Sequence, residues 1–233
     1  KELVLGGIQL SAYGLDLPGS PRLTDVIEAL SQIEGISRIR LGSLEPLLIE
    51  EEFAKRLSEF DALCPQFHLS LQSGSDSVLK RMNRKYDTAR YEQAVSYLRR
   101  YLDNPAITTD IITGFPAETQ EEFEQTRAFI HKIGFASVHV FAYSRREGTA
   151  AAQMNGQINP EIKKERSRIL IEQAQRDAAN YCQSFENAVR PVLFETFDGN
   201  TLKGLTPEHL EVSVISQRDL TGEIRNVRLK AER

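Results

Sequence analysis

Thr109-Asp110-Ile111-Ile112-Thr113-Gly114-Phe115-Pro116-Ala117-Glu118-Thr119 is the stretch on which the reading of this chain turns. Its first half is a β-branched, apolar run of strand character. Gly114-Phe115-Pro116 then forces a rigid turn, and Thr119 with Glu122 makes the Ser/Thr-x-x-Glu box that opens a helix by satisfying two orphan amides. Strand, turn and capped helix in immediate succession are one βα unit. A charge inside such a strand is costly unless it is paired or faces an opening, so Asp110 is either a ligand-facing group or a buried, hydrogen-bonded structural carboxylate.

The same unit recurs on both sides. Aliphatic runs at 3–5, 36–41, 67–71, 107–112 and 138–141 read as strands. Between them, apolar residues fall three and four apart: Leu23, Val26, Ile27, Leu30 and Ile33; Phe53, Leu57 and Phe60; Tyr91, Ala94, Val95 and Leu98; Phe123, Thr126, Ile130 and Ile133. Ser75 and Thr88 are placed to cap helix starts, and Gly134 to end one in the left-handed conformation. A strand-to-strand spacing of about 30–40 residues fits one βα unit each and predicts an α/β chain with a parallel sheet, doubly wound or rolled into a barrel. In either case ligands bind at the carboxyl ends of the strands.

Beyond this repeat the pattern changes twice. Residues 159–187 read as one long charged helix opened by Asn159-Pro160, with the stripe Ile162, Ile169, Leu170, Ala174, Ala178, Tyr181 and Phe185. Short strands follow at 189–194, 201–205, 210–215 and 224–229, with turns at Asp198-Gly199-Asn200 and Thr221-Gly222. The expected organisation is a run of parallel βα units over 1–158, a connecting helix over 159–188 and a small antiparallel β-barrel over 189–233, a size and pattern often used to bind oligonucleotides.

Composition narrows the class. The 233 residues are 40% hydrophobic and 27% charged, with a formal net charge of −4. No apolar run approaches the roughly 20 residues of a bilayer span, so no membrane partner is expected. A negative chain cannot grip nucleic acid over its whole surface; any RNA contact is expected to use local patches. Cys64 and Cys182 are far apart and share no metal-ligand spacing, which reads as two reduced thiols of a cytoplasmic protein.

The strand ends carry the candidate chemistry. Gly6-Gly7 lets a backbone approach a ligand, or simply makes a tight turn. Ser43 and Glu45 offer a hydroxyl and a carboxylate suited to a ribose or an ammonium group, though Glu45 could equally pair with an arginine. Gln72 is a neutral polar reader. Phe141 either walls a flat ring or is ordinary core, and Arg145 and Arg146 either meet phosphates or sit in water. His68 and His139 read as satisfied strand histidines, and no metal ligand is expected. No phosphate loop of the Gly-x-x-x-x-Gly-Lys type is present.

Taken together, the runs at 3–14, 38–46, 67–86, 107–123 and 138–151 resemble, in order, the methylthiotransferase family of radical S-adenosylmethionine enzymes, and the tail resembles the small RNA-binding β module called TRAM that closes them. Ser43-Leu44-Glu45-Pro46 and Phe67-His68-Leu69-Ser70-Leu71-Gln72-Ser73-Gly74 look like the branch acting on threonylcarbamoyladenosine beside the transfer-RNA anticodon. The resemblance implies a partial radical S-adenosylmethionine barrel. It further implies a cofactor held by Gly6, Gly7, Ser43, Glu45, Gln72, Asp110, Gly114 and Phe141, with Arg146 facing RNA or the cofactor. Position 6 is often Thr in the family and position 145 often Pro; here they are Gly and Arg. The family's chemistry uses two 4Fe-4S clusters held by cysteines. Their thiolates, including a Cys-x-x-x-Cys-x-x-Cys loop, are not in this sequence, so catalysis is expected of the complete protein and not of this chain alone. By resemblance, one electron from the loop cluster cleaves the sulfonium, and sulfur and a methyl group are then inserted into the adenine. The competing expectations are a non-catalytic RNA-binding protein with a degenerate barrel, and a methylthiotransferase acting on isopentenyladenosine or on a ribosomal protein. An unrelated aldolase-like barrel would want a lysine or metal ligands at the strand ends.

Overall fold

The computed structural model describes residues 1–230. Five parallel strands, β1 (Glu2–Leu5), β2 (Arg38–Leu41), β3 (Gln66–His68), β4 (Ala106–Thr113) and β5 (Ser137–Ala142), lie side by side in chain order. Leu3 pairs with Ile39, Phe67 with Ile107, and Asp110 with His139. β2 joins β3 through parallel bridges at Ile39–Leu63 and Leu44–Leu69. Among the described residues, β1 and β5 are paired on one side only. This is the wall of a partial (βα) barrel, as the alternating pattern predicts.

Helices cover one face of that wall. They are α1 (Leu23–Ser31), α2 (Glu51–Leu57), α3 (Asp76–Arg81), α4 (Thr88–Tyr101) and α5 (Gln120–Ile133). Successive strand side chains point to opposite faces, so Ile39, Leu41, Phe67, Leu69, Ile107 and Ile111 pack against Ile27, Leu57, Tyr91, Leu98, Phe123 and Ile130 of the helices. The capping box forms as read: Thr119 Oγ1 accepts from Glu122 N, and Glu122 Oε2 accepts from Thr119 N. Gly134 adopts φ 63° and ends α5. Thr88 is not a cap. It is the first residue of α4, and Asp87 caps by accepting from Arg90 N. Ser75 does occupy the N-cap position of α3, but its hydroxyl is spent on Gln125 and Ser77.

A short helix α6 (Ala150–Gln153) precedes the long α7 (Pro160–Gln183), which Asn159 caps. α7 lies against β5 and α5, with Leu170 and Ala174 buried. Ile162, at the outer end of the predicted stripe, is exposed instead. The remaining strands are β6 (Val189–Phe197), β7 (Thr201–Leu205), β8 (Glu211–Ile215) and β9 (Ile224–Arg228), in the order β8-β7-β6-β9. They make a curled antiparallel sheet around Val192, Phe194 and Leu202. The end of the expected third segment, 231–233, lies outside the described residues.

The two bodies meet beneath the inner face of the wall, the face without helices. Arg38 and Arg40 point inward there, beside Glu2 on β1. Arg40 Nε donates to Glu2 Oε1 at 2.8 Å, and Arg38 lies 3.6 Å from Glu2 Oε2. Their remaining N–H groups donate to backbone carbonyls of the β module: Arg38 to Leu205 at 2.9 Å and to Pro191, Arg40 to Pro207 at 2.9 Å and Thr206 at 3.4 Å. The two guanidinium groups draw the Glu2 carboxyl below its ordinary value against the opposing effect of burial. Removing one partner of such a buried pair costs about 3–5 kcal/mol, because the other charge is stranded. Arg40→Ala should therefore lower stability in urea by about 3 kcal/mol and release the β module to limited proteolysis. An unfolding curve that overlays the parent's would show that these contacts do not hold the module.

A second charged contact ties α3 to α5. Arg81 grips Glu122 through two bonds, at 2.7 and 2.8 Å, and Ser77 Oγ donates to the same carboxylate at 2.5 Å. The Arg81 fork above all, with Ser77 and Thr119 N–H, holds the Glu122 carboxyl down at about 2. The folded value lies below the unfolded one of about 4.3, so this stabilisation is complete above roughly pH 4.5 and is lost as pH falls towards 2. Glu122→Gln should be less stable than the parent at neutral pH, and thermal melts should show the gap narrowing between about pH 4.5 and pH 2.

Candidate functional site: the carboxyl rim and inner face of the parallel wall

Because the strands are parallel, their carboxyl ends share one rim. Gly6 and Gly7 follow β1, Ser43 and Glu45 follow β2, Gln72 follows β3, Gly114 follows β4, and Phe141 is the penultimate residue of β5. The rim is thus where the structure places most of the expected cofactor residues. A Cβ built on Gly6 would meet nothing within 4 Å, and one on Gly7 only the Leu10 backbone near 3.9 Å. Ser43 is exposed. The backbone N–H of Glu45 donates to Ser11 Oγ at 2.8 Å, and its carboxylate lies 3.8 Å from Arg84. The arginine partner foreseen as the plain alternative for Glu45 is therefore real, although the contact is loose and a third of each side chain is exposed.

Gln72 holds φ 72°, a left-handed conformation uncommon outside glycine. It keeps its ladder bonds while doing so: its N–H donates to Asp110 O, and its carbonyl accepts from Ile112 N, both at 2.9 Å. The loop that follows is pinned to α5. Gly74 N donates to Thr126 Oγ1 at 3.2 Å, Ser73 Oγ meets the same hydroxyl, and a Cβ at Gly74 would come within 2.8 Å of Thr126 Cα and Phe129 Cβ. Tyr86 adds a bond to Ser70 O at 2.6 Å, and burial pushes its hydroxyl up to about 12. By its spacing with Phe123 and Ile130, Thr126 reads as core. Its hydroxyl is in fact what fixes the Gln72 loop.

Gly114 and Phe141 do not share a wall. Phe141 pairs with Ile112 and faces inward, 53% exposed. A Cβ on Gly114 would strike the Lys163 side chain at 2.2 Å, on the α7 side. Gly114 N donates to Glu118 Oε2 at 2.8 Å, and Arg166 Nη1 donates to that carboxylate at 2.6 Å. Gly114 is thus part of a buried brace between the β4 turn and α7. Arg145 and Arg146 are exposed on the loop after β5, and Arg145 lines an open groove with Tyr143, Lys163, Lys164 and Arg168.

Asp110 sits deeper, on the inner face, one third exposed. It is neither buried nor isolated. His139 Nδ1 lies 3.1 Å from one of its oxygens and His68 Nε2 lies 3.5 Å from the other. Reading the two histidines one at a time hid this meeting, which depends on the register of β3, β4 and β5. Cys64 is buried, and burial raises its thiol to about 11; Cys182 is exposed on α7. Among the described residues neither joins a group of metal-ligating side chains, so these two thiols do not fit an iron–sulfur site.

Comparison with known proteins gives this geometry its context. Residues 9–130 match the family model described as the Radical SAM superfamily. The tRNA-2-methylthio-N(6)-dimethylallyladenosine synthase of Alkaliphilus oremlandii (strain OhILAs) is 38% identical over 232 residues, covering 98% of this chain and 49% of that protein. The threonylcarbamoyladenosine tRNA methylthiotransferase MtaB of Bacillus subtilis (strain 168) is 36% identical over 234 residues, covering 98% of the chain and 52% of its own length. The chain thus spans about half the length of the curated relatives it matches. Among solved structures, the radical SAM enzyme coproporphyrinogen III oxidase (HemN) from Escherichia coli superposes with a TM-score of 0.55 at 14% identity, over 82% of this chain and 52% of that one, a likeness of fold alone. Partial barrel, rim and family model agree: the chain belongs to the radical SAM superfamily, and its relatives are tRNA methylthiotransferases.

Proposed function

We propose that this chain is the cofactor-holding part of a tRNA methylthiotransferase that acts on threonylcarbamoyladenosine next to the anticodon. The observation that carries the proposal is the arrival of Gly7, Ser43, Glu45 and Gln72 at one rim from three successive strands. S-adenosylmethionine, when bound together with iron–sulfur clusters, supplies the radical chemistry and the methyl group. The chain's own residues bind and orient. Gly6 and Gly7 leave backbone open to the methionyl end. Ser43, Glu45 and Gln72 meet its polar groups and the ribose, and Phe141 offers a half-exposed ring to the adenine. Gly114 contributes by shaping the β4 turn, since the space beside it is filled by Lys163. Arg146, with the basic groove beside it, faces RNA phosphates, and the curled β module, read as TRAM-like, adds a second RNA contact. No helix among the described residues is long and apolar enough to cross a membrane, and we assign the protein to the cytoplasm, where transfer RNA is.

Two features support the threonylcarbamoyl substrate: the Ser43-Leu44-Glu45-Pro46 run and the polar inner face formed by Gln66, His68, Thr108, Asp110 and His139, which suits a polar substituent better than a hydrocarbon one. Dimethylallyladenosine is the second reading, because relatives of that name match at 34–38% identity. Mass spectrometry of tRNA nucleosides from a strain lacking the gene decides between them. Loss of the methylthio adduct of threonylcarbamoyladenosine is expected; its persistence removes that substrate, and loss of the isopentenyl adduct instead selects the second. In the enzyme reconstituted anaerobically with iron and sulfide, Glu45→Gln and Gln72→Ala should each weaken S-adenosylmethionine binding by about tenfold, the worth of one polar contact. Arg146→Ala should leave that affinity unchanged and weaken tRNA binding. Unaltered cofactor affinity in both rim variants would remove the rim assignment.

A further inference from the structure

The inner face holds a group of side chains of which the cofactor reading claims only Asp110. His68 on β3 and His139 on β5 flank Asp110 on β4. His139 Nδ1 lies 3.1 Å from Asp110 Oδ1, His68 Nε2 lies 3.5 Å from Oδ2, and the donor atoms of all three lie within 4.8 Å of one another. A tetrahedral ion with ligands at about 2.0–2.1 Å sets its donors about 3.3–3.4 Å apart; the two measured separations lie near this value but run to different Asp110 oxygens, so the carboxylate either turns to present one oxygen to both rings or clasps the ion with both. The two imidazoles are nearly parallel, 23° between planes with centroids 6.0 Å apart, and His139 is the more exposed of the two, at 59% against 15%.

The surroundings are those of a built site. His68 Nδ1 lies 3.0 Å from Thr108 Oγ1, which in turn is 3.5 Å from Gln66 Nε2. A hydroxyl on the far nitrogen fixes the ring and leaves Nε2 directed at the carboxylate, the outer-shell bond that metal-ligating histidines carry. The side-chain oxygens of Asp110 have the two imidazoles as their hydrogen-bonding partners among the described residues. Two neutral imidazoles and one carboxylate are a ligand set for a borderline transition ion, whereas magnesium or calcium would want oxygens throughout. Burial favours the neutral, ligating form of His68.

We propose that His68, Asp110 and His139 bind one divalent transition-metal ion of the zinc, cobalt or ferrous class inside the wall. His139 and Asp110 are 59% and 33% exposed, so the ion keeps open positions towards the interior and takes an oxygen donor there, water or a carboxylate or hydroxyl of a molecule entering the barrel. The site stands apart from the cofactor rim: it uses no cluster and no S-adenosylmethionine, and it assigns Asp110 to the ion in place of the ribose.

The test is titration of the whole chain, in a Cys182→Ser background, with cobalt(II) and then zinc, followed by calorimetry and by the visible d–d absorption of bound cobalt. One site of micromolar affinity or tighter is expected. Asp110→Asn and His139→Ala should weaken it by about 100-fold and Thr108→Val by about tenfold, the scale of a lost outer-shell bond, while His131→Ala should bind as the parent does. Should a variant fail to fold, the unmutated chain still decides the matter by NMR: cobalt should broaden the imidazole signals of His68 and His139 ahead of those of His131 and His209. No d–d band at millimolar cobalt, unchanged affinity in Asp110→Asn and His139→Ala, or broadening centred on His131 or His209 would each overturn the assignment.

Discussion

Everything in this molecule follows from the alternation of side chains along five parallel strands. One face must bury its apolar residues beneath the helices, and it does so with Ile39, Phe67, Leu69, Ile107 and Ile111. The other face has no helix to lie against, so its residues need other partners. The strands answer with charge and hydrogen bonding: Glu2 with Arg38 and Arg40 at the amino end, Gln66 with Thr108 and His68 in the middle, and Asp110 with His139 above. The inner face is thus graded from a closed ionic floor to an open rim, and a ligand entering from the rim meets progressively more polar ground.

The floor also settles how the β module is attached. Towards the module, Arg38 and Arg40 donate to the backbone carbonyls of residues 191 and 205–207, while the Glu2 carboxylate takes their remaining charge within the wall. Carbonyl acceptors are independent of the side chains the module carries, so its sequence is free to vary while the docking persists. On the opposite side, the Arg166–Glu118–Gly114 brace fixes the turn after β4 to α7. The wall is therefore held by buried guanidinium groups at its amino end and again at the β4 turn of its carboxyl rim.

Much of this was legible in the sequence, and the limits have physical causes. The five strands, the Thr119 capping box, the Gly134 stop and the long helix after Asn159 are local signals: each depends on residues a few positions apart. The placement of Gly7, Glu45 and Gln72 at one edge follows as well, because parallel strands leave no alternative. Thr88 reads as a cap and is not one, because hydroxyls and carboxylates compete for that role and Asp87 is one position earlier. Likeness alone pairs Gly114 with Phe141; alternation along β4 would keep them on one face, but the left-handed turn at Gly114, φ 70°, directs its Cβ position to Lys163 on the α7 side. The meeting of His68, Asp110 and His139 could not be read at all, since it depends on register between strands far apart in the chain. The return of β9 to pair with β6, and not with β8, is hidden for the same reason.

The wall has two lateral borders, and each has a colloidal consequence. β1 and β5 carry rows of backbone groups that pair with no strand among the described residues, and Val4 on β1 is 62% exposed. A bare strand flank of this kind is a template for another extended segment, whether from the same polypeptide or a foreign one. Concentrated preparations of this chain are accordingly inclined to stack flank to flank, and a lysine at position 4 is the gatekeeper that would keep them apart.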